Sequence, residues 1–178
     1  MAAAMLAMVC NLTVGRPRFA DVEADVHALL ARCKTVQGEL LQLADADANA
    51  YLAVRDAYRL PRATDAEQQS RSDAIEAAMH GATDIPVDSA RAGAAVLDLA
   101  VEAARITNPV ALGDVAVATH LALGSTRGAA DQARMNLSTL KDTAFVSRMA
   151  GQIDELLDRS DAAARRALDE IQTRVSAG

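Results

Sequence analysis

Apolar positions along the chain recur at steps of three and four, the spacing of a helix face turned towards a core. No run alternates with the period of two that a strand needs between turn residues. Met1 to Val14 reads as an apolar, Ala- and Met-rich helix that Gly15 cuts off. A long amphipathic helix follows from about Ala20 to Arg59, with a stripe of Leu40, Leu43, Asp47, Tyr51, Val54 and Tyr58. Pro61 ends it. Thr64 and Glu67 form a capping box opening a third helix that reaches about Thr83. Pro86 is expected to break or kink it, and a fourth helix then presents Val87, Ala90, Ala94, Leu97 and Val101 on one face. Asn108 is an N-cap with Pro109 at the first helical position. The fifth helix runs from there to about Leu140, with Val110, Asp114, Val117 and Leu121 as its expected apolar face. Asp142 caps the last helix, which packs through Phe145, Met149, Ile153, Leu156, Leu168, Ile171 and Val175. Six helices, two or more of them long, with short connections and no linker or repeat, make one all-α bundle domain over residues 1–178.

Composition sharpens this picture. The 178 residues suffice for a substantial core. Apolar residues make up 51% but only four are aromatic, so the core is Ala, Leu, Val and Met, which favours helices lying close together. A net charge of −6 without a basic stripe argues against nucleic acid. The first helix lacks a basic leader and is too short to span a bilayer, which argues against a membrane role. Cys10 and Cys33 lack metal-ligand spacing and read as a reduced, partly buried pair in a cytoplasmic protein. His27, His80 and His120 are scattered, so no metal site is expected.

Four stretches carry a family resemblance: MVCNLTVGRPRF (Met8 to Phe19), LADADANAYLAVRDAYRLPRAT (Leu43 to Thr64), TNPVALGDVAVA (Thr107 to Ala118) and RMNLSTLKD (Arg134 to Asp142). In order and spacing they resemble the cyclodeaminase/cyclohydrolase family, which includes the C-terminal half of formiminotransferase-cyclodeaminase and stand-alone methenyltetrahydrofolate cyclohydrolases. The resemblance covers nearly the whole chain. It implies a helical fold that forms a homodimer, a tetrahydrofolate derivative as substrate with no further cofactor, and a folate site near the subunit interface. It also implies one of two reactions. A cyclodeaminase closes 5-formiminotetrahydrofolate to 5,10-methenyltetrahydrofolate and releases ammonia; a cyclohydrolase opens the methenyl ring with water to give 10-formyltetrahydrofolate. Cyclohydrolysis is the first choice, because no formiminotransferase domain is fused here.

Three departures stand beside the resemblance. The family's PGGGS segment before the first helix has no counterpart here, so the expectation is either an upstream start or a pocket that has lost part of its lining. The basic turn has Pro17 in its middle. In TNPVALGD the family's glycine, second asparagine and serine are replaced by Thr107, Val110 and Gly113, while Asn108 and Asp114 remain. The alternative these departures raise is a non-catalytic helical dimerisation module that keeps the scaffold without the site.

Both reactions need protons moved at one amidine-type carbon, and a carboxylate in a partly dry pocket suits that task because burial raises its pKa. Asp47 and Asp114 are the candidate catalytic residues, each a carboxylate on an otherwise apolar stripe. The competing reading is a carboxylate at a helix end or bonded to a neighbouring helix. It is strongest for Asp114, six residues after Asn108, where the helix dipole already favours negative charge. Arg16, Arg18 and Arg59, with Arg62, are candidates for the glutamate tail of a folate, since guanidinium forks match carboxylates; singly, each also reads as a solvated surface arginine. Asn108 serves first as a cap and second as a substrate contact. Asn136, four residues after Gln132, must find partners for its amide, either the pterin edge or a helix neighbour. Gly113, Gly124 and Gly128 are expected to admit another backbone or a flat ligand. His120 lies off the Asp114 face and is read as non-catalytic.

Overall fold

The computed structural model describes residues 1–177 and is helical almost throughout. The order is α1 (Ala2–Asn11), a 3₁₀ segment (Pro17–Val22), α2 (Glu23–Tyr58), α3 (Asp65–Ile106), a 3₁₀ turn (Pro109–Ala111), α4 (Leu112–Leu137) and α5 (Thr143–Ser176). The central element is α3, which packs against α2, α4 and α5, while α1 lies across α2 and α4. No helix among the described residues is long and apolar enough to cross a membrane.

Local chemistry sets most boundaries where the sequence puts them. The Glu67 N–H donates to Thr64 Oγ1 at 3.2 Å and the Thr64 N–H donates to Glu67 Oε2 at 3.0 Å, completing the capping box of α3. Asp142 caps α5 by accepting the N–H groups of Ala144 and Phe145, both at 3.0 Å. These bonds hold the Asp142 carboxyl below the usual carboxylate range. Gly15 adopts φ of +73°, a left-handed conformation that costs glycine little, and so turns the chain away from α1.

Two core clusters hold the helices together. The larger joins α1, the first part of α2, the second half of α3, the first part of α4 and the end of α5, with Leu6, Val9, Leu29, Leu97, Leu112 and Val115 fully buried. The smaller gathers Val87, Ala130, Ala133, Leu137, Phe145, Met149 and Ile153 where α4 turns into α5. Cys10 and Cys33 are free thiols, more deeply buried than expected, at the α1–α2 contact. A hydrogen bond between them, then burial, pushes the Cys10 thiol up.

Three expectations need correction. The third and fourth helices are one helix, with Pro86 buried inside it. Proline removes the N–H that would bond the carbonyl of Ala82, four residues back. The side chain of Asn136 replaces that donor: its Nδ2 donates to the Ala82 oxygen at 2.8 Å, and its Oδ1 accepts from Gln132 at 3.4 Å. Asn136→Ala is therefore expected to cost about 1 kcal/mol, the worth of one hydrogen bond. In a Pro86→Ala background the cost shrinks, because the restored N–H takes the carbonyl. Urea unfolding of the two single variants, the double variant and the parent chain measures this coupling.

The second correction concerns α4. Val110, Val117 and Leu121 are exposed, at 87%, 49% and 40%. The helix buries Leu112, Val115, Ala118, Thr119, Ala122, Thr126, Ala130, Ala133 and Leu137 instead. Gly113, Gly124 and Gly128 face open space; the close approach is at Gly93 of α3, against Thr126. The third concerns α2, whose second half stands clear of the core. Only Ala57 is buried there, while Tyr51 and Tyr58 are 67% and 51% exposed.

Candidate active site

Four of the seven residues singled out in the sequence meet in one concavity. It encloses about 330 Å³ and is lined by Leu12, Arg16, Arg18, Asn108, Val110, Ala111 and Asp114. Its walls come from two places far apart in sequence: the turn after α1 and the entry to α4. Each wall is built by its own local bonds. Gly15 ends α1, and its N–H donates to Glu23 Oε1 at 3.3 Å, anchoring the start of α2 beside the turn. Pro17 sits at the first position of the 3₁₀ segment and leaves Arg16 and Arg18 exposed on either side. Arg18 lies over the Phe19 ring, 4.6 Å from its centroid, and Arg16 Nε donates to the Leu12 carbonyl at 2.7 Å.

On the opposite wall Asn108 is buried and accepts the Val110 N–H at 3.2 Å, capping the 3₁₀ turn as its sequence position requires. Its Nδ2 reaches back to the Leu12 carbonyl at 3.5 Å, so one carbonyl is shared between the arginine wall and the asparagine wall. Asp114 lies in the first turn of α4 and is half-buried. There the aligned peptide dipoles favour its negative charge. The concavity thus offers two guanidinium groups, an amide and a carboxylate. That set can hold a molecule with carboxylates at one end and a proton-exchanging centre at the other.

The other three residues lie elsewhere. Asp47 is exposed on α2, roughly 36 Å along the helix from Glu23 at 1.5 Å per residue. Arg59 follows the far end of α2, exposed, with Nη1 3.7 Å from Asp56 Oδ1. Asn136 is roughly 33 Å along α4 from Asp114 and is committed to Ala82. In the single chain, then, neither carboxylate occupies the dry core position its stripe suggested. Residues the sequence reading passed over include Leu12 and Ala111 in the lining and Thr13 behind it. Thr13 is fully buried in the quoted MVCNLTVGRPRF stretch, and its hydroxyl accepts the Asn108 N–H at 3.0 Å.

A larger groove of about 440 Å³ runs between α2 and α3, lined in part by Glu39, Asp88 and Arg91. Two of its charges, Arg91 and Asp88, are paired with each other, and it gathers none of the seven residues. Among the described residues no three His, Cys, Asp or Glu side chains assemble as a metal site.

The comparisons with known proteins agree with one another. The family model described as formiminotransferase-cyclodeaminase matches residues 1–155. The chain is 33% identical to a methenyltetrahydrofolate cyclohydrolase of Methylorubrum extorquens, over 99% of this chain and 85% of that protein. It is 28% identical to a formimidoyltransferase-cyclodeaminase of Sus scrofa over 98% of its own length, spanning 32% of that longer protein. Its fold matches the crystal structure of formiminotetrahydrofolate cyclodeaminase from Thermotoga maritima with a TM-score of 0.85, at 21% identity, over 98% of this chain and 83% of that one. A chain with these helices, and with sequence agreement along almost its full length, belongs to the formiminotransferase-cyclodeaminase family.

Proposed function

We infer that the chain is a folate one-carbon enzyme, and that it hydrolyses 5,10-methenyltetrahydrofolate to 10-formyltetrahydrofolate. The observation that carries this reading is the meeting of Arg16, Arg18, Asn108 and Asp114 in one concavity. Its volume lies within the range of about 300–1,000 Å³ typical of small-molecule sites. The relative from Methylorubrum extorquens, matched over 85% of its length, supports the choice of reaction.

Each group has a role in that reaction. Arg16 and Arg18 take the glutamate carboxylates, where two guanidinium groups discriminate against an uncharged tail. The Asp114 carboxylate faces the cationic methenyl carbon and stabilises it. It then takes a proton from the water that adds there, forming a neutral tetrahedral centre. That centre collapses with cleavage of its bond to N5. The proton passes to N5 and the oxygen remains as the formyl carbonyl on N10, so one water is consumed and one proton released overall. Asn108 donates from its amide to the polar edge of the substrate.

The second reading is cyclodeamination, favoured by the names of the Sus scrofa and Thermotoga maritima relatives. The same carboxylate would then serve N10 and the departing nitrogen. A homodimer is part of this proposal: Leu12 and Val110 of the concavity's lining are exposed, as are Val117 and Leu121 further along α4, and a second copy would cover them.

The methenyl chromophore tests both readings. Its loss from methenyltetrahydrofolate, faster than in buffer alone, is the expected result; its appearance from formiminotetrahydrofolate selects cyclodeamination. If the purified chain changes neither substrate, the folate reading falls.

A further inference from the structure

The peptide that joins Thr107 to Asn108 is gripped at both ends by side chains from two other places, the turn after α1 and the last turn of α5. Its N–H, on Asn108, donates to Thr13 Oγ1 at 3.0 Å. Its carbonyl, on Thr107, accepts from Arg174 Nη2 at 2.9 Å. The same guanidinium donates through Nη1 to the Ala104 carbonyl at 2.5 Å. Thr13 completes its own bonding by donating to the Val9 carbonyl at 2.9 Å.

The arrangement follows from how α3 ends. In a continuing helix the Ala104 carbonyl would receive the Asn108 N–H, and the Thr107 carbonyl would receive the Ala111 N–H. The first N–H is diverted to Thr13, and the second goes to the Asn108 carbonyl at 2.9 Å. Two carbonyls are left without helix partners, on residues that are fully buried. A guanidinium fork from the last turn of α5 satisfies both and places a positive charge at the negative end of α3. Because a peptide is planar, fixing its two poles fixes the plane. The direction in which Asn108 leaves α3 is thereby set.

We propose that Thr13 and Arg174 are a positioning pair, which clamps the Thr107–Asn108 peptide and so places Asn108 in the concavity. The proposal rests on reading that concavity as the folate site. Neither residue touches the substrate; both act through Asn108.

Two readouts test it. The first is steady-state kinetics on whichever folate the parent chain turns over. Thr13→Val keeps the shape and removes the acceptor, and Arg174→Gln removes the charged fork. Each is expected to raise KM about five- to tenfold, the equivalent of one hydrogen bond, with kcat within about twofold. Thr13→Ser restores the parent KM, and the double variant raises it by less than the product of the singles, since both act on one peptide. An unchanged KM in both single variants, with only a lower melting temperature, overturns the proposal.

The second readout is amide hydrogen exchange at Asn108 and Val110, which needs no turnover. Exchange about fivefold faster in Thr13→Val, with the Ile153 amide unchanged, supports the clamp; parent-like exchange overturns it. If the parent chain converts neither folate, the functional reading fails alone and exchange still judges the clamp. Should Thr13→Val not fold, Arg174→Lys carries both comparisons, because it keeps the charge and loses the fork.

Discussion

Replacing Gly93 by alanine is expected to destabilise the fold by about 1–3 kcal/mol, although alanine is the better helix former by about 1 kcal/mol. The reason is the crossing of α3 and α4. A Cβ at position 93 would stand 2.2 Å from Thr126 Oγ1 and 3.3 Å from Thr126 Cβ. Thr126 cannot easily yield. It is fully buried, and its hydroxyl donates to the Ala122 carbonyl at 2.8 Å. Swinging the hydroxyl away forfeits that bond and still leaves Thr126 Cβ too close. The two helices would have to separate along a contact made largely of Ala and Thr. Urea unfolding measures the loss as a lower midpoint at unchanged slope. Gly124→Ala is the control: nothing lies within 4 Å of its site, so the substitution is expected to be neutral or stabilising by up to about 1 kcal/mol. Thr126→Ala in the Gly93→Ala background should recover part of the loss, because it removes the nearer of the two clashing atoms. A Gly93→Ala chain as stable as its parent would mean that the α3–α4 contact is looser than its geometry.

The same contact explains which parts of the fold were legible in the sequence. Helix ends were, because Thr64, Asn108 and Asp142 announce themselves through short-range bonds to their own backbone. The face of α4 was not. Its stripe of Val110, Val117 and Leu121 looks more apolar than the Ala118, Thr119, Ala122 and Thr126 face that is buried. Small residues win here because they let two backbones approach, and a side-chain hydroxyl bonded to the preceding turn is no obstacle to burial. Thr119 and Thr126 both do this, to Val115 and Ala122. The continuity of α3 was hidden for a related reason. Pro86 is a breaker on local grounds, and the donor that compensates for it, Asn136, lies fifty residues away in another helix.

The site divides along the same line. Arg16, Arg18 and Asn108 are legible because each sits in a short stretch with a recognisable turn or cap. Asp114 stands out instead through the family block and an apolar stripe whose Val110, Val117 and Leu121 are exposed. That the two stretches face each other across one concavity is a tertiary fact, carried by Thr13 and the shared Leu12 carbonyl. Thr13 was within reach, inside a quoted stretch, but an apolar context gave its hydroxyl no evident task. Arg174 gave no signal at all: a lone arginine near the end of a charged helix looks solvated until the end of α3 is seen to need it. Asp47 stands out for its stripe, of which Leu40, Leu43 and Val54 are partly buried and Asp47, Tyr51 and Tyr58 are exposed in the single chain.

Asp114→Asn is expected to lower kcat by about 10²- to 10⁴-fold, the range for removing a general acid or base. Asparagine keeps the shape and can still receive a hydrogen bond, but it takes no proton from water and offers no charge to the methenyl cation. Stability should fall by no more than about 2 kcal/mol, the upper end for a charge in a half-buried first helical turn. Chromophore loss under saturating substrate, with melting followed in parallel, separates the chemical loss from unfolding. Turnover equal to the parent would remove Asp114 from the mechanism and leave the concavity a binding site at most. Asp47→Asn asks a different question, because Asp47 lies roughly 36 Å of helix away from Glu23, too far to serve the same site in one chain. A loss as large as that of Asp114→Asn requires a second copy to bring Asp47 to the concavity. Mixing the two inactive variants then decides it. If the carboxylates meet across two copies, a mixed dimer rebuilds one site with both carboxylates intact and activity returns. If each works alone in its own chain, the mixture stays as inactive as its parts.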